Sequence, residues 1–145
     1  SGTSNKGDVD ASRLKWLDST LSDCPDRPTA ILMHHPPILV TTSKDPWQYD
    51  NRNAGELLAA IILRHPQVVR LFCGHSHRSF LATFSGAIAS SVPSIATDLR
   101  QDYYPKALAH VPVFQVHKLD KSGNFLSESH IAGMQHGNDA MSAAE

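Results

Sequence analysis

The sequence predicts an α/β fold in which a parallel β-α-β unit is followed by antiparallel strands. Two short apolar runs, TAILM at residues 29–33 and VVRLF at residues 68–72, have the composition of buried strands. A segment with helical spacing lies between them, at residues 53–64. Two further segments, residues 80–89 and 113–131, each carry apolar runs interrupted by turn residues, which is typical of β-hairpins.

A helix is expected before the first strand. Asp10 is a favourable N-cap residue, and Leu14, Leu17 and Leu21 recur on one helical face until Pro25 ends the pattern. Residues 1–9 are small and polar, so we exclude them from the fold as a flexible N-terminus. The expected role of this helix is packing.

The β-α-β unit determines at which edge of the sheet the two strands end. Its helix carries an apolar face, and Pro66 separates the helix from the second strand. Parallel strands joined by a right-handed crossover place their carboxyl ends on one edge of the sheet. The sequence therefore predicts that the segments following residues 33 and 72 lie close together.

Both of these segments contain histidines. His34 and His35 follow the first strand, and Gly74-His75-Ser76-His77 follows the second. Residues i and i+2 of an extended segment point the same way, so His75 and His77 can offer two imidazoles to one metal centre. For either segment alone, solvated loop histidines, or a loop packed by Pro36 and Pro37, are the alternative. Because ligands gather at the carboxyl ends of strands, the two loops together favour a shared site.

The pattern of strand-HHPP, helix and strand-CGHSHR resembles the last two motifs of the calcineurin-like metallophosphoesterases, which are dinuclear-metal phosphatases and phosphodiesterases. It is most similar to the cyclic nucleotide and glycerophosphodiester phosphodiesterase branch, and the similarity extends over residues 10–131. The resemblance implies that His34 and His75 bind one metal ion and that His77 binds the other. It also implies the C-terminal half of a four-layer α/β/β/α sandwich.

Three motifs of that family do not occur in this sequence: D-x-H, the metal-bridging G-D-x-x-[DN], and G-N-H-[DE]. The Gly7-Asp8-Val9-Asp10 segment has its second carboxylate one residue early, and we interpret it as a chance match. The chain therefore resembles half of such an enzyme. We expect it to be inactive alone and to hold at most one ion, because a bridging carboxylate is needed to hold two cations together.

For the intact enzyme, the resemblance implies hydrolysis of a small phosphodiester by a metal-activated hydroxide, with two ions of Mn, Fe, Co or Zn. Arg78 and His35 are candidate substrate contacts, although a solvated arginine also explains Arg78. Two alternatives remain open. One is a non-catalytic assembly or metal-binding module, and the other is a mononuclear zinc hydrolase that uses His34, His75 and His77.

Composition limits the partners and the compartment. With 13 basic and 14 acidic residues, the chain has no net field to attract nucleic acid or an anionic membrane, and it lacks an apolar membrane anchor. Its two cysteines suggest no disulfide framework, which favours a reducing, cytoplasmic location.

We expect a half-domain at residues 10–132 and a disordered tail at residues 133–145. Apolar surface left uncovered by the missing half predicts a homodimer or a higher assembly.

Overall fold

The structure is a computed structural model that describes residues 6–43, 46–51, 53–101 and 104–133. Helix α1 covers Ala11–Ser22, and the Asp10 side chain accepts a hydrogen bond from the Arg13 backbone N–H at its start. The N-cap predicted from the sequence is thus confirmed. Most of the predicted flexible N-terminus and disordered tail, residues 1–5 and 134–145, falls outside the described residues.

The central β-α-β unit is confirmed. Strand β1 covers Thr29–Leu32, helix α2 covers Ala54–Arg64, and strand β2 covers Val68–Cys73. The two strands pair in parallel, with Leu32 beside Phe72 at the end of the shared register. Their carboxyl ends therefore lie at one edge of the sheet, as the crossover rule predicts.

The first predicted hairpin extends this sheet. Strands β3, Phe80–Phe84, and β4, Ala87–Ser91, pair antiparallel, and β4 also pairs in parallel with β2. The strand order is β1-β2-β4-β3, which leaves β1 at one edge. Strand β4 therefore lies inside the sheet, and its small side chains Ala87 and Ala89 are buried in the core with residues of both helices.

The second predicted hairpin forms the separate antiparallel layer. After two short 3-10 turns at Thr97–Leu99 and Lys106–Leu108, strand β5 covers Val113–Leu119 and strand β6 covers Phe125–Ile131. These two strands pair with each other as a two-stranded sheet. The antiparallel second layer expected from the sequence is therefore made by β5 and β6.

The four-stranded sheet is covered differently on its two faces. Leu58, Ile61 and Ile62 of α2 pack with Leu21 of α1 against Leu71 of β2 to form the core. Alternate residues of β2 point the other way. On that second face the Phe72 ring centroid lies 4.1 Å from that of His117 and 5.5 Å from that of Phe125, so the β5–β6 hairpin packs there.

Within the described residues, we find no helix whose length and apolar character would let it cross a membrane.

Candidate metal centre

Backbone hydrogen bonds continue the parallel ladder beyond the ends of β1 and β2. The Met33 N–H donates to the Phe72 carbonyl oxygen at 3.0 Å, and the Gly74 N–H donates to the His34 carbonyl oxygen at 2.9 Å. The two loops are therefore tied together at the residues from which the histidine side chains leave. This explains why loops distant in the sequence arrive at one place.

Three histidines meet at this edge. His34 Nε2 lies 3.2 Å from His75 Nδ1, and the His35 and His75 ring centroids are 4.2 Å apart. One ligand nitrogen from each of His34, His35 and His75 lies within 4.8 Å of the others. In the part of the chain that the structure describes, no other set of three histidine, cysteine or acidic residues has this spacing.

The donor set fits a divalent transition metal. Neutral imidazole suits such ions, and a tetrahedral zinc bonded at about 2.0–2.1 Å would hold two ligand nitrogens about 3.3 Å apart. The distance between His34 Nε2 and His75 Nδ1, 3.2 Å, is close to that separation. The spacing of the pair therefore matches that of two nitrogens bound to one ion, and a ligand nitrogen of His35 lies within 4.8 Å of both.

The backbone of the second loop is held in an unusual conformation. His75 and His77 have φ angles of 62° and 52°, in the left-handed region that residues with side chains rarely adopt. Ser76 between them is buried, and the Gln101 N–H donates to the His77 carbonyl oxygen at 3.1 Å. Surrounding contacts therefore hold both histidines in place despite the local strain, as is common at functional sites.

Gly74 permits the close approach of the two loops. A Cβ atom built on Gly74 would lie 3.3 Å from Nδ1 of His34, tighter than most real contacts. Any side chain at position 74 would therefore press on the His34 ring. Glycine at position 74 avoids this close contact with the His34 ring.

Crowding also affects protonation. The pKa of His34 is lowered from its ordinary value by desolvation and then by the charges of His35 and His77. Although the His34 side chain is exposed overall, the neighbouring rings displace water from part of it. A lowered pKa keeps the imidazole neutral at pH 7, and the neutral form is the one that binds a metal.

The predicted site residues are placed as follows. His34 and His75 form the close pair, and His35, expected as a substrate contact, lies in the same group. His77 lies outside this group, although its charge contributes to lowering the pKa of His34. The Arg78 carbonyl oxygen accepts a hydrogen bond from the Ser91 hydroxyl, which fixes the backbone of Arg78 at the end of the loop.

Two further residues lie beside the site. Tyr49 belongs to the polar and aromatic segment 39–51, whose composition is compatible with either an active-site rim or a surface loop packed on the core. The buried Tyr49 donates a hydrogen bond from its hydroxyl to the His35 carbonyl oxygen at 2.6 Å. Gly7 pairs with Tyr49, and a Cβ atom on Gly7 would lie 2.8 Å from Nδ1 of His35. Gly7 was excluded with the N-terminus because nothing in a polar segment signals contact with a site 28 residues away in the sequence.

Comparison with known proteins identifies the family. The chain is 38% identical over 90 residues to the glycerophosphodiester phosphodiesterase GpdQ of Enterobacter lignolyticus, covering 61% of this chain and 31% of that protein. It is 30% identical over 127 residues to the 3′,5′-cyclic adenosine monophosphate phosphodiesterase CpdA of Escherichia coli, covering 86% of this chain and 45% of that protein. The chain is a relative of the calcineurin-like metallophosphoesterases. The resemblance drawn from the two histidine motifs is thus confirmed.

The fold agrees with this assignment. A dimetal phosphatase from Danio rerio superposes on 83% of this chain with a TM-score of 0.57 and 20% sequence identity, and the match covers 38% of that protein. At this identity the likeness concerns the fold alone. No protein-family model matches the chain. The chain spans between about a third and somewhat under half of the length of these metallophosphoesterases.

Proposed function

We propose that this chain supplies the histidine ligands of the metal centre in a metal-dependent phosphodiesterase. The observation that carries the proposal is the pair of nitrogens, His34 Nε2 and His75 Nδ1, held 3.2 Å apart where two parallel strands end. Curated relatives that are named phosphodiesterases support the reaction class. The substrate is then a small phosphodiester.

Each histidine has a distinct role in this proposal. His34 and His75 bind one divalent ion, with His35 as its third ligand or as a contact to the substrate. His77 would bind a second ion, whose remaining ligands would come from the rest of the metallophosphoesterase. Ions of Mn, Fe, Co or Zn suit imidazole ligands, and when bound they supply Lewis acidity and a more acidic water. Arg78 follows the loop directly and is the candidate cation for a phosphate oxygen.

The chain alone is proposed to be the C-terminal half of such an enzyme and to lack turnover. The acidic motifs that hold two ions together in the family are absent from its sequence. The group of ligand atoms found among the described residues contains histidines without a carboxylate. Half of a dinuclear site binds one ion but does not clamp a phosphoryl group from both sides.

We further propose a cytoplasmic location and a homodimer or higher assembly. Cys24 and Cys73 are both free thiols, which supports a reducing compartment. Leu32 on the edge strand β1 is 79% exposed, and Leu81 on the other edge strand is 71% exposed, which supports association through apolar surface.

Turnover of bis-(p-nitrophenyl) phosphate with added Mn, Co or Zn tests the proposal. We expect no useful turnover by the chain, and turnover by the protein encoded by any longer reading frame that extends upstream of Ser1. His75→Ala should abolish that turnover, while His110→Ala, at an exposed position, should not. Robust turnover by the chain alone would contradict the half-site reading.

The all-histidine composition of the site favours one second candidate, a non-catalytic metal-binding module. Metal binding that depends on His75, without turnover in the protein from the longer reading frame, would support this alternative and overturn the phosphodiesterase proposal.

A further inference from the structure

Arg70 lies between the four-stranded sheet and the β5–β6 hairpin, away from the metal centre, and it has no counter-ion. Its side chain is buried, and among the described residues no carboxylate forms an ion pair with it. Its Nη2 donates hydrogen bonds to the Ser90 hydroxyl at 3.0 Å and to the Ser127 hydroxyl at 3.1 Å. Its Nε is buried without a partner in the described part of the chain. A positive charge of this kind stabilises negative charge on a hydroxyl oxygen that it contacts.

Only one of these two hydroxyls belongs to an exposed residue. Ser90, on β4, is 4% exposed, whereas Ser127, on β6, is exposed. A reagent in solution can therefore reach Ser127 while Arg70 stays packed behind it. Because the guanidinium is buried, water screens its effect on the Ser127 oxygen less than it would screen a surface charge.

A base faces the same hydroxyl. Ser127 and His117 lie opposite each other in the β5–β6 ladder, and His117 Nδ1 lies 2.8 Å from Ser127 Oγ. A guanidinium can only donate, so the Ser127 oxygen accepts from Arg70 and its own hydrogen is available to His117 Nδ1. The Phe72 ring packs against the imidazole, with 4.1 Å between the two centroids, and this contact orients it. A base within hydrogen-bond reach of a hydroxyl, and itself oriented by a third group, is the arrangement that activates a serine nucleophile.

The protonation state of His117 suits this role. Its pKa is lowered from the ordinary value by burial and then by the charge of Arg70. A lowered pKa makes His117 a weaker base than a free imidazole, but it leaves one ring nitrogen ready to take a proton at neutral pH. Arg70 contacts the Ser127 oxygen directly, so its charge stabilises the atom that loses the proton.

We propose that Ser127 is a nucleophile that takes an acyl group from an aryl ester, with His117 as the general base and Arg70 as the cation that stabilises the serine oxygen. Ser127 Oγ forms a bond to the acyl carbon while its proton moves to His117 Nδ1. The bond from that carbon to the ester oxygen breaks, and the leaving group departs with the electron pair as an aryloxide. The imidazolium then releases the proton to water, so the products are acyl-serine, aryloxide and a proton. This reaction needs no metal ion and is separate from the proposed phosphodiesterase function.

Reaction with p-nitrophenyl acetate in the presence of a metal chelator tests the proposal. The chelator removes metal-bound hydroxide as a source of p-nitrophenolate, and peptide mapping by mass spectrometry locates each stable acetyl group. Ser129 is the internal control, because it is an exposed residue on the same face of β6 and its hydroxyl accepts from the neutral Gln115 amide at 3.3 Å. General-base catalysis contributes about 10²–10⁴-fold, so Ser127 should be acetylated at least about tenfold faster than Ser129.

Matched variants separate the role of the base from effects on the fold. His117→Asn keeps an acceptor for the Ser127 hydroxyl but cannot take its proton, so acetylation of Ser127 should slow by at least about tenfold. Arg70→Met should also slow it, because the positive charge at the oxygen is lost. Ser129→Ala should leave the acetylation of Ser127 unchanged. Circular dichroism verifies that each variant is folded.

Acetylation of Ser127 no faster than that of Ser129 would overturn the inference. Unchanged acetylation of Ser127 in a folded His117→Asn or Arg70→Met variant would do the same. The comparison of the two serines is made within one unsubstituted chain, so it decides the question even if a variant unfolds. Because the chelator is present throughout, the result does not depend on whether the histidine loops bind a metal.

Discussion

The spacing of His34 and His75 leads to a quantitative expectation for metal binding. In a calorimetric titration with Zn²⁺ at neutral pH, the chain should bind about one ion, because one cluster of three histidines has ligand spacing among the described residues. Removing a residue that only orients a ligand typically costs 10- to 100-fold in metal affinity. His75→Ala removes one imidazole of the 3.2 Å pair itself. The affinity of the chain for Zn²⁺ should therefore fall by at least about tenfold, or about 1.4 kcal/mol.

Three further variants test whether Zn²⁺ binding depends on the group of three histidines. His110→Ala removes an exposed histidine away from the loops and should leave affinity unchanged. His77→Ala should have a much smaller effect than His75→Ala, because His77 lies outside the group of three. His35→Ala should weaken binding if the third nitrogen is a ligand. Equal Zn²⁺ binding by the His75, His77 and His110 variants would refute the existence of a preformed site.

The pH dependence of the same titration has a definite sign. Protons compete with the metal for the imidazole nitrogens, so affinity should fall as pH drops through the histidine range near 6.5. Because the pKa of His34 is lowered by desolvation, its proton competes only at lower pH than for an ordinary histidine. Binding should therefore persist to lower pH than for a flexible peptide that carries the same residues. An affinity that rises with acidity would contradict imidazole ligation.

Three further predictions concern stability and assembly. Arg70 is buried and donates hydrogen bonds to the hydroxyls of Ser90 and Ser127. Because burying a cation is costly, Arg70→Met should lower the free energy of unfolding measured in urea by less than about 1 kcal/mol, or raise it. Arg70→Ala should lower it by about 1–3 kcal/mol. The pKa of His117 is lowered by burial and by Arg70, so on acidification the unfolded chain binds a proton at a higher pH than the folded chain does. The free energy of unfolding should therefore fall as pH drops below about 6.5, and the fall measured in urea should be smaller in His117→Gln. Light scattering at micromolar concentration should show a dimer or larger species that Leu32→Lys reduces, and a stable monomer would count against the exposed edge as an interface.

The local signals in the sequence predicted most of the fold. Apolar runs with β-branched residues marked β2, helical spacing marked α2, and Asp10 marked the start of α1. These signals act over a few residues and need no knowledge of the partner elements. The placement of β4 beside β2 could not be predicted in this way. Pairing between strands that are distant in sequence leaves little trace in either strand, and both a separate layer and a sheet extension fit the hairpin pattern.

The sequence predicted that the two histidine loops meet, but it did not predict which three histidines come together. His34 and His75 were expected to meet, and the parallel register brings them together. Periodicity suggested that His75 and His77 point the same way, which holds for an extended segment. Both residues instead have positive φ angles, so the loop is not extended and the i, i+2 rule does not apply. Gly7 was missed because its contact with His35 arises from tertiary structure.

The strained loop and the regular sheet depend on each other. The ladder from Leu32 and Phe72 continues through the 2.9 Å hydrogen bond from the Gly74 N–H to the His34 carbonyl oxygen, which fixes the backbone of His34 to the loop that carries His75. Left-handed residues are costly, of order 1–3 kcal/mol each, and persist only where neighbouring contacts compensate. Buried Ser76 and the hydrogen bond from Gln101 to His77 provide such contacts here. A flexible loop would lose the 3.2 Å separation, so the sheet edge and the strained loop together hold the two nitrogens at this distance.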